Sequence, residues 1–291
     1  MPNMHQEQKT VSLKKFGKLP AHLSQCQPWE IIQVDLFGPW NFTDISGINR
    51  AIRGLSIIDP TTKWLELCPY DDKKSESIAM LVHREWFNRY PRPTHCIIDN
   101  GSEFSHKFIE LLLSYGIKPV RTTIKNPQAN GVVERVHQVI ADCIRTMDLE
   151  QRPYDDTSPA AILSAVAWAI RTTYHSAIQT SPGQLVFGRD MIINATYLAN
   201  WKFIKSKQQS QTIKNNLREN ASRSDHEYRI NDYVYIKTSS LRKLKQPHQG
   251  PYKIIRVIAN GTVALQKSHN VTERINIRRL HPAVRPSSLG A

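Results

Sequence analysis

Cysteine is scarce in this chain of 291 residues: Cys26, Cys68, Cys96 and Cys143 stand far apart, with no C-x2-C pair among them. That spacing argues against a zinc-finger or disulfide framework. Cys68, Cys96 and Cys143 sit in apolar patterns and read as core residues, which fits a reducing compartment. Long apolar runs are missing too. None approaches the ~20 residues needed to cross a bilayer, and the N-terminus MPNMHQEQKT lacks the apolar stretch of a signal peptide. The expectation is a soluble intracellular protein with no membrane-spanning segment. Acidic residues are the third shortage, and it is local. Residues 201–291 hold 18 Lys/Arg against five Asp/Glu, whereas residues 29–200 hold 17 against 19. A near-neutral body with a strongly basic end suits docking on a polyanion, and DNA, RNA or an anionic membrane would each serve.

What is present is enough apolar material for a core, at 40% hydrophobic, in a chain long enough for two domains and linkers. Residues 1–28 are polar and patternless, an expected arm. The runs IIQVDLF (31–37, ended by Gly38-Pro39), AIRGLSIID (51–59) and KWLELCPY (63–70) predict three strands of an antiparallel meander. A helical stripe covers about 75–90, followed by a strand at 94–99, a helix at 105–115 capped by Gly116, and a strand in IKPVRTT. The loop IKNPQANG precedes a long helix over about 132–147. Another follows at about 159–174, whose Ala, Ile, Leu and Trp168 read as core packing. This order gives a mixed sheet with helices on its faces. Residues 191–229, rich in Lys, Gln, Asn and Ser, form an expected tether, partly helical. From Asp232 short alternating runs return, DYVYIK, YKIIRVI, TVALQK and ERINIRRL, predicting a small β-barrel over 230–285.

The informative acids are Asp35, flanked by Ile, Val, Leu and Phe, Asp99 at the end of the fourth strand, and Glu134 in the first turn of the long helix. An ionised carboxylate in apolar company is costly unless it is paired or ligates a metal. Hard oxygen ligands suit Mg²⁺ or Mn²⁺ rather than zinc. Spacing alone leaves a second reading open, because a strand-end Asp is often a turn residue and a helix dipole favours a first-turn Glu. Asp59, before Pro60-Thr61-Thr62, is read as such an Asx-type turn and left out of the site.

The words around the three acids go further. VDLFGP at Asp35, IIDNGSEF at Asp99 and NPQANGVVERVHQ at Glu134, in that order, resemble the catalytic core of retroviral and long-terminal-repeat (Ty3/gypsy-like) retrotransposon integrases. The words DYVYIK, GPYKI and INIRRLHP resemble the SH3-like C-terminal domain of the same family. The resemblance runs from about residue 17 to 282. It implies an α/β RNase H-like core at 29–190, a mixed five-stranded sheet with flanking helices, followed by a small all-β SH3-like barrel that binds DNA. It implies that Asp35, Asp99 and Glu134 hold two Mg²⁺ or Mn²⁺ ions, Asp35 bridging both, for in-line phosphodiester displacement. That chemistry trims the element's DNA ends and joins them to a target duplex. A chain of this kind that has lost catalysis would remain a nucleic-acid-binding remnant.

The resemblance also implies DNA-end contacts from Gln128 and Asn130 in the loop, and from Gln138 one turn beyond Glu134, where related enzymes often place Lys. His137 and Arg135 carry no assignment, being as readily solvated as functional. In the barrel, Lys237, Arg242, Lys243, Lys245, Lys253, Arg278 and Arg279 are the expected phosphate contacts, while Tyr233, Tyr235 and Tyr252 read as core. A homo-oligomer in the nucleus is expected, the resemblance implying dimer contacts from the helix near 159–174 as the alternative to core packing, with no membrane partner and no small-molecule cofactor. Two departures stand out. Asp99 and Glu134 enclose 34 residues, one fewer than the common family spacing. The place of the family's His/Cys zinc module reads MPNMHQEQKT, so no zinc is expected in this chain, which is then a polyprotein fragment or a decayed copy.

Overall fold

The computed structural model describes residues 15–19, 26–43, 46–122, 127–147, 158–237, 248–258 and 261–283, with side chains in the long helix from Arg135 onward. In chain order the elements are β1 (Lys15–Phe16), β2 (Ile31–Thr43), β3 (Asn49–Ile58), β4 (Leu65–Pro69), α1 (Ser75–Val82), β5 (His95–Ile98), α2 (Lys107–Ser114), β6 (Lys118–Arg121), α3 (Pro127–Thr146), α4 (Pro159–Thr172), α5 (Pro182–Phe187), α6 (Trp201–Asn220), β7 (Arg223–Ser224), β8 (Tyr233–Lys237), β9 (His248–Ile258), β10 (Thr262–Ser268), β11 (Val271–Asn276) and β12 (Leu280–Pro282). They divide into two compact units, Leu23–Gln211 and Met1–His22 with Thr212–Ala291.

The larger unit holds a five-stranded mixed sheet in the order β4-β3-β2-β5-β6. β2, β3 and β4 form the expected antiparallel meander, whereas β5 and β6 run parallel to β2. Alternation sends Ile32, Val34 and Leu36 of β2, with Cys96 and Ile98 of β5, into a core shared with α1 and α2. The opposite face, with Phe37, Ile52, Ile58, Leu65 and Leu67, packs on Ile140 and Ile144 of α3 and on Ile162, Leu163 and Val166 of α4. Covering both faces makes the central strands apolar nearly throughout, as their sequences suggested.

Several boundaries differ from expectation. β2 does not end at Gly38-Pro39 but continues to Thr43 through a bulge between Phe37 and Trp40. Gly38 makes the bulge possible: it takes φ +85°, and a Cβ there would lie 2.3 Å from the Ile52 carbonyl oxygen. The helix expected to Tyr90 ends as α1 at Val82 and passes into a π-helical turn, His83–Phe87, that buries Trp86 and Phe87. The largest correction is at α3, which starts at Pro127 where the sequence suggested a loop through Gly131. Proline is at home in a first helical position, and an apolar stripe through Val136, Ile140, Cys143 and Ile144 carries the helix along the sheet despite the glycine. Trp168 of α4, read as core, is 50% exposed. α5 was not foreseen; Ser181 and Gln184 close a reciprocal capping box at its start.

The smaller unit is an all-antiparallel five-stranded sheet, order β11-β10-β9-β8-β12, compatible with the SH3-like fold expected. Val234, Ile236, Ile254, Val263, Leu265, Ile275, Ile277 and Leu280 fill its core. Part of the stretch read as an arm belongs here. β1 pairs in parallel with β7, and Leu19 is buried, with its backbone N–H and C=O both bonded to the Asn220 amide. Buried Arg223 donates to the carbonyls of Gly17, Phe16 and Ile277. Tyr252 packs against this core and Tyr228 lies within it, but Tyr233, read as core, is 51% exposed.

Candidate functional site

The site is built on β2 and β5. Their parallel register sets Ile31 beside His95, Ile32 beside Cys96 and Gln33 beside Ile97. Carried two residues further, it sets Asp35 beside Asp99, on strands that in any sheet lie about 4.8 Å apart. Since Val34 and Ile98 face the α1/α2 core, alternation turns both acids to the face covered by α3 and α4. Asp35, Asp99 and Thr122 line one small recess. The sheet also fixes their backbone. The Asn100 amide donates to the Thr122 carbonyl at 3.0 Å, and Arg121 donates to the carbonyls of Asp99 and Phe104. Asp99 Oδ1 accepts from the Gly101 N–H, and Asp35 Oδ1 from the N–H of Leu36, each at 2.8 Å.

The third acid is carried by α3. Glu134 lies three residues before His137, and the anchoring of that helix is well defined. His137 Nε2 is 2.9 Å from Ser56 Oγ, and Ser56 is the cross-strand partner of Asp35. Ser56 Oγ also donates to the Asp35 carbonyl at 3.2 Å. The imidazole packs at 5.2 Å on the ring of Phe37, two residues beyond Asp35 on the same face. The tip of the Phe37 ring reaches Gly54, where a Cβ would come within 2.1 Å of Cζ. Burial lowers the His137 pKa to about 4, so the ring is neutral at ordinary pH. Sequence reading left His137 unassigned; its one signal was a position three residues after Glu134, on the same helical face.

Asp59 contrasts with these acids. It is fully buried and accepts from the N–H groups of Trp29, Thr61 and Thr62 and from the Thr62 hydroxyl, the turn reading made from sequence. The Gln138 amide donates to Asp142 at 3.0 Å along the exposed side of α3. Gln128 and Asn130 fall in the first turn of α3 rather than in a loop, and their side chains lie outside the described residues. In the smaller unit, Lys237 is exposed at the end of β8 and Lys253 is half-buried on β9 beside Tyr233. Arg278 forms a two-point pair with Glu219, Nε to Oε1 at 2.5 Å and Nη2 to Oε2 at 2.8 Å. Arg279 follows it, half-buried. Arg242, Lys243 and Lys245 lie outside the described residues.

Asp35 on β2 and Asp99 just past the end of β5 line one recess and offer hard oxygen donors of the kind that fits a divalent ion such as Mg²⁺ or Mn²⁺. Among the described residues, which leave out the Glu134 side chain, no group of three or more His, Cys, Asp or Glu converges as a metal site. No helix among the described residues is long and apolar enough to cross a membrane.

The larger unit thus carries Asp35 and Asp99 on a mixed sheet, and the smaller is an antiparallel sheet rich in Lys and Arg. Comparison with known proteins narrows this. The chain is similar to the Retrovirus-related Pol polyprotein from transposon 412 of Drosophila melanogaster, 24% identical over 273 residues, 86% of this chain and 21% of that protein. It is 25% identical over 164 residues to the human Gypsy retrotransposon integrase-like protein 1, covering 56% of this chain and 30% of that one. Among solved structures, it superposes on a chain of the simian T-cell lymphotropic virus intasome in complex with PP2A regulatory subunit B56 gamma. The TM-score is 0.61 at 18% identity, covering 94% of this chain and 84% of that one. No protein-family model matches. The chain thus spans between a fifth and a third of the length of these two curated relatives. On these findings the chain is similar in sequence to retrotransposon Pol and integrase-like proteins and in fold to a retroviral intasome chain.

Proposed function

We propose that the chain is the catalytic and DNA-docking portion of a retroelement integrase, trimming the element's 3′ DNA ends and joining them to a target duplex. The observation that carries this reading is the β2–β5 register, which, carried two residues past its last pair, aligns Asp35 with Asp99, and the recess that both line. Asp35, Asp99 and Glu134 would hold two Mg²⁺ or Mn²⁺ ions. Bound there, divalent ions supply activation of the attacking oxygen and stabilisation of the leaving oxygen in phosphodiester exchange.

The chain's own residues then bind and orient. Gln128, Asn130 and Gln138 hold the DNA end by amide hydrogen bonds, and Gln138 first has to release Asp142. Lys237, Lys253 and Arg279, with Arg242, Lys243 and Lys245, neutralise phosphates without reading sequence, whereas Arg278 is held by Glu219. No thiol nucleophile is called for: burial raises the Cys68 thiol to about 12 and the Cys96 thiol further. The protein works as a homo-oligomer and, given this substrate, in the nucleus.

The test is a joining assay. Purified protein with Mn²⁺ or Mg²⁺ should nick and join oligonucleotides carrying element ends, and Asp35→Asn or Glu134→Gln should abolish both reactions. Activity surviving both substitutions would sink the proposal. Salt-sensitive duplex binding with no chemistry, indifferent to both changes, would instead identify a DNA-binding remnant.

A further inference from the structure

The acids sit within a frame that assigns a task to residues outside the triad. His137 touches two neighbours of Asp35: Ser56 across the strand pair, and Phe37 two positions along on the same face. The Ser56 hydroxyl proton is engaged by the Asp35 carbonyl. With that proton engaged, the Nε2–H tautomer is the one that completes the link, the imidazole donating to Ser56 Oγ. The chain of bonds runs from α3 through His137 and Ser56 to the backbone of Asp35.

We infer that His137 and Ser56 form a latch that sets α3, and with it Glu134, at a fixed distance from Asp35, so that the two residues position the metal-holding acids without touching the ions or the DNA. The inference rests on the proposed assignment of Asp35 and Glu134 as ligands and adds what holds them in register. Two features separate this contact from ordinary packing. It is a polar contact of α3 on a sheet face where, among the described residues, Phe37 and Ile52 cluster with the apolar Val136, Ile140 and Ile144. It also ends on the backbone of the residue whose position matters. Residues that orient ligands from behind affect metal affinity by roughly 10–100-fold when removed.

The test is Mn²⁺ binding to the full chain, read from the electron-paramagnetic signal of free Mn²⁺, beside thermal melting. Ser56→Ala and His137→Ala should each weaken Mn²⁺ binding by about tenfold or more. The double variant should be no worse than the weaker single, because one link is cut only once. His137→Gln, whose amide can still donate to Ser56, should recover most of the affinity. Ile140→Ala, which loosens the same helix one turn on through an apolar contact, should lower the melting temperature yet leave Mn²⁺ affinity within about twofold. Additive losses, no recovery in His137→Gln, or an equal loss in Ile140→Ala would overturn the latch. If His137→Ala binds Mn²⁺ normally while Asp35→Asn does not, the latch falls and the ligand assignment stands. If the unsubstituted chain binds no Mn²⁺, both fall together.

Discussion

Each of the two units carries charged groups of one sign in two different settings. In the mixed-sheet unit, Asp59 is fully buried and four donors fill its carboxylate, while Asp35 shares a recess with a second acid, Asp99. In the smaller unit, Arg223 and Arg278 are tied to backbone carbonyls and to Glu219, while Lys237 is exposed on a strand end. A buried charge whose hydrogen bonds are all made by its own fold stabilises that fold. Under the proposed function, a charge aligned with another of the same sign, or left at the surface among its like, meets a ligand of opposite sign. The same residue type in the same unit thus serves two ends, and the difference lies in its partners rather than in its sequence neighbours.

The strongest way to break the comparison is to exchange the two aspartates' fates. Asp35→Asn should cut joining by about 10²–10³-fold or more, as expected for losing a principal electrostatic group at a reacting centre. Folding stability should stay nearly unchanged, as read from denaturant unfolding. Asp59→Ala should do the reverse. It strands the N–H groups of Trp29, Thr61 and Thr62 in a buried turn, at about 1–3 kcal/mol for each donor left unmet, with partial relaxation bringing the total to about 3 kcal/mol. The folded fraction should keep its specific activity. If Asp59→Ala silences joining in well-folded protein, the division between the two acids is wrong.

A smaller effect concerns pH. His137 is held neutral, its pKa lowered by burial from 6.5 to about 4. The unfolded chain therefore takes up a proton near pH 6.5 that the folded chain refuses until about pH 4. Stability from this source is complete above pH 6.5 and is lost as pH falls through that window, on the order of 2 kcal/mol. Other groups titrate at lower pH, so the measurement is a difference. His137→Gln should flatten the stability curve between pH 6.5 and 4.5 relative to the unsubstituted chain. An identical slope in both proteins would show that the imidazole is not sheltered.

Much of this was legible beforehand, and the failures have a common cause. Alternation in IIQVDLF and THCIID placed the acids on strands, and Pro60-Thr61-Thr62 marked Asp59 as a turn, because these are local signals. The parallel pairing of β2 with β5 joins residues about sixty apart, so their alignment is a property of the folded sheet. α3 was read too short because Asn, Pro and Gly are loop formers, whereas packing on the sheet extends the helix through them. Arg278 was read as a phosphate contact from the basic run INIRRLHP. Its pairing with Glu219, 59 residues earlier, leaves no trace in that run. Segment 15–19 looked like an arm because five residues show no periodicity; what orders it is Arg223 and Asn220, far along the chain.

The smallest effect sharpens the comparison within the basic unit. Burial works to raise the Glu219 pKa, yet the hydrogen bonds and charge of Arg278 hold it below the ordinary carboxylate value, so the pair is charged on both sides. Glu219→Gln should cost about 1–2 kcal/mol of stability, since it weakens a charge-assisted two-point bond in a half-buried setting. Releasing Arg278 adds a cation to the surface, so the salt dependence of duplex binding should not weaken. Lys237→Ala should leave stability within about 0.5 kcal/mol and reduce the slope of log affinity against log salt by about 0.9, the contribution of one phosphate contact on B-form DNA. The two variants therefore move two different measurements in a set pattern: the glutamate change lowers stability and spares the slope, and the lysine change lowers the slope and spares stability. A slope that falls in Glu219→Gln and holds in Lys237→Ala would make the paired arginine the DNA contact and the exposed lysine a bystander.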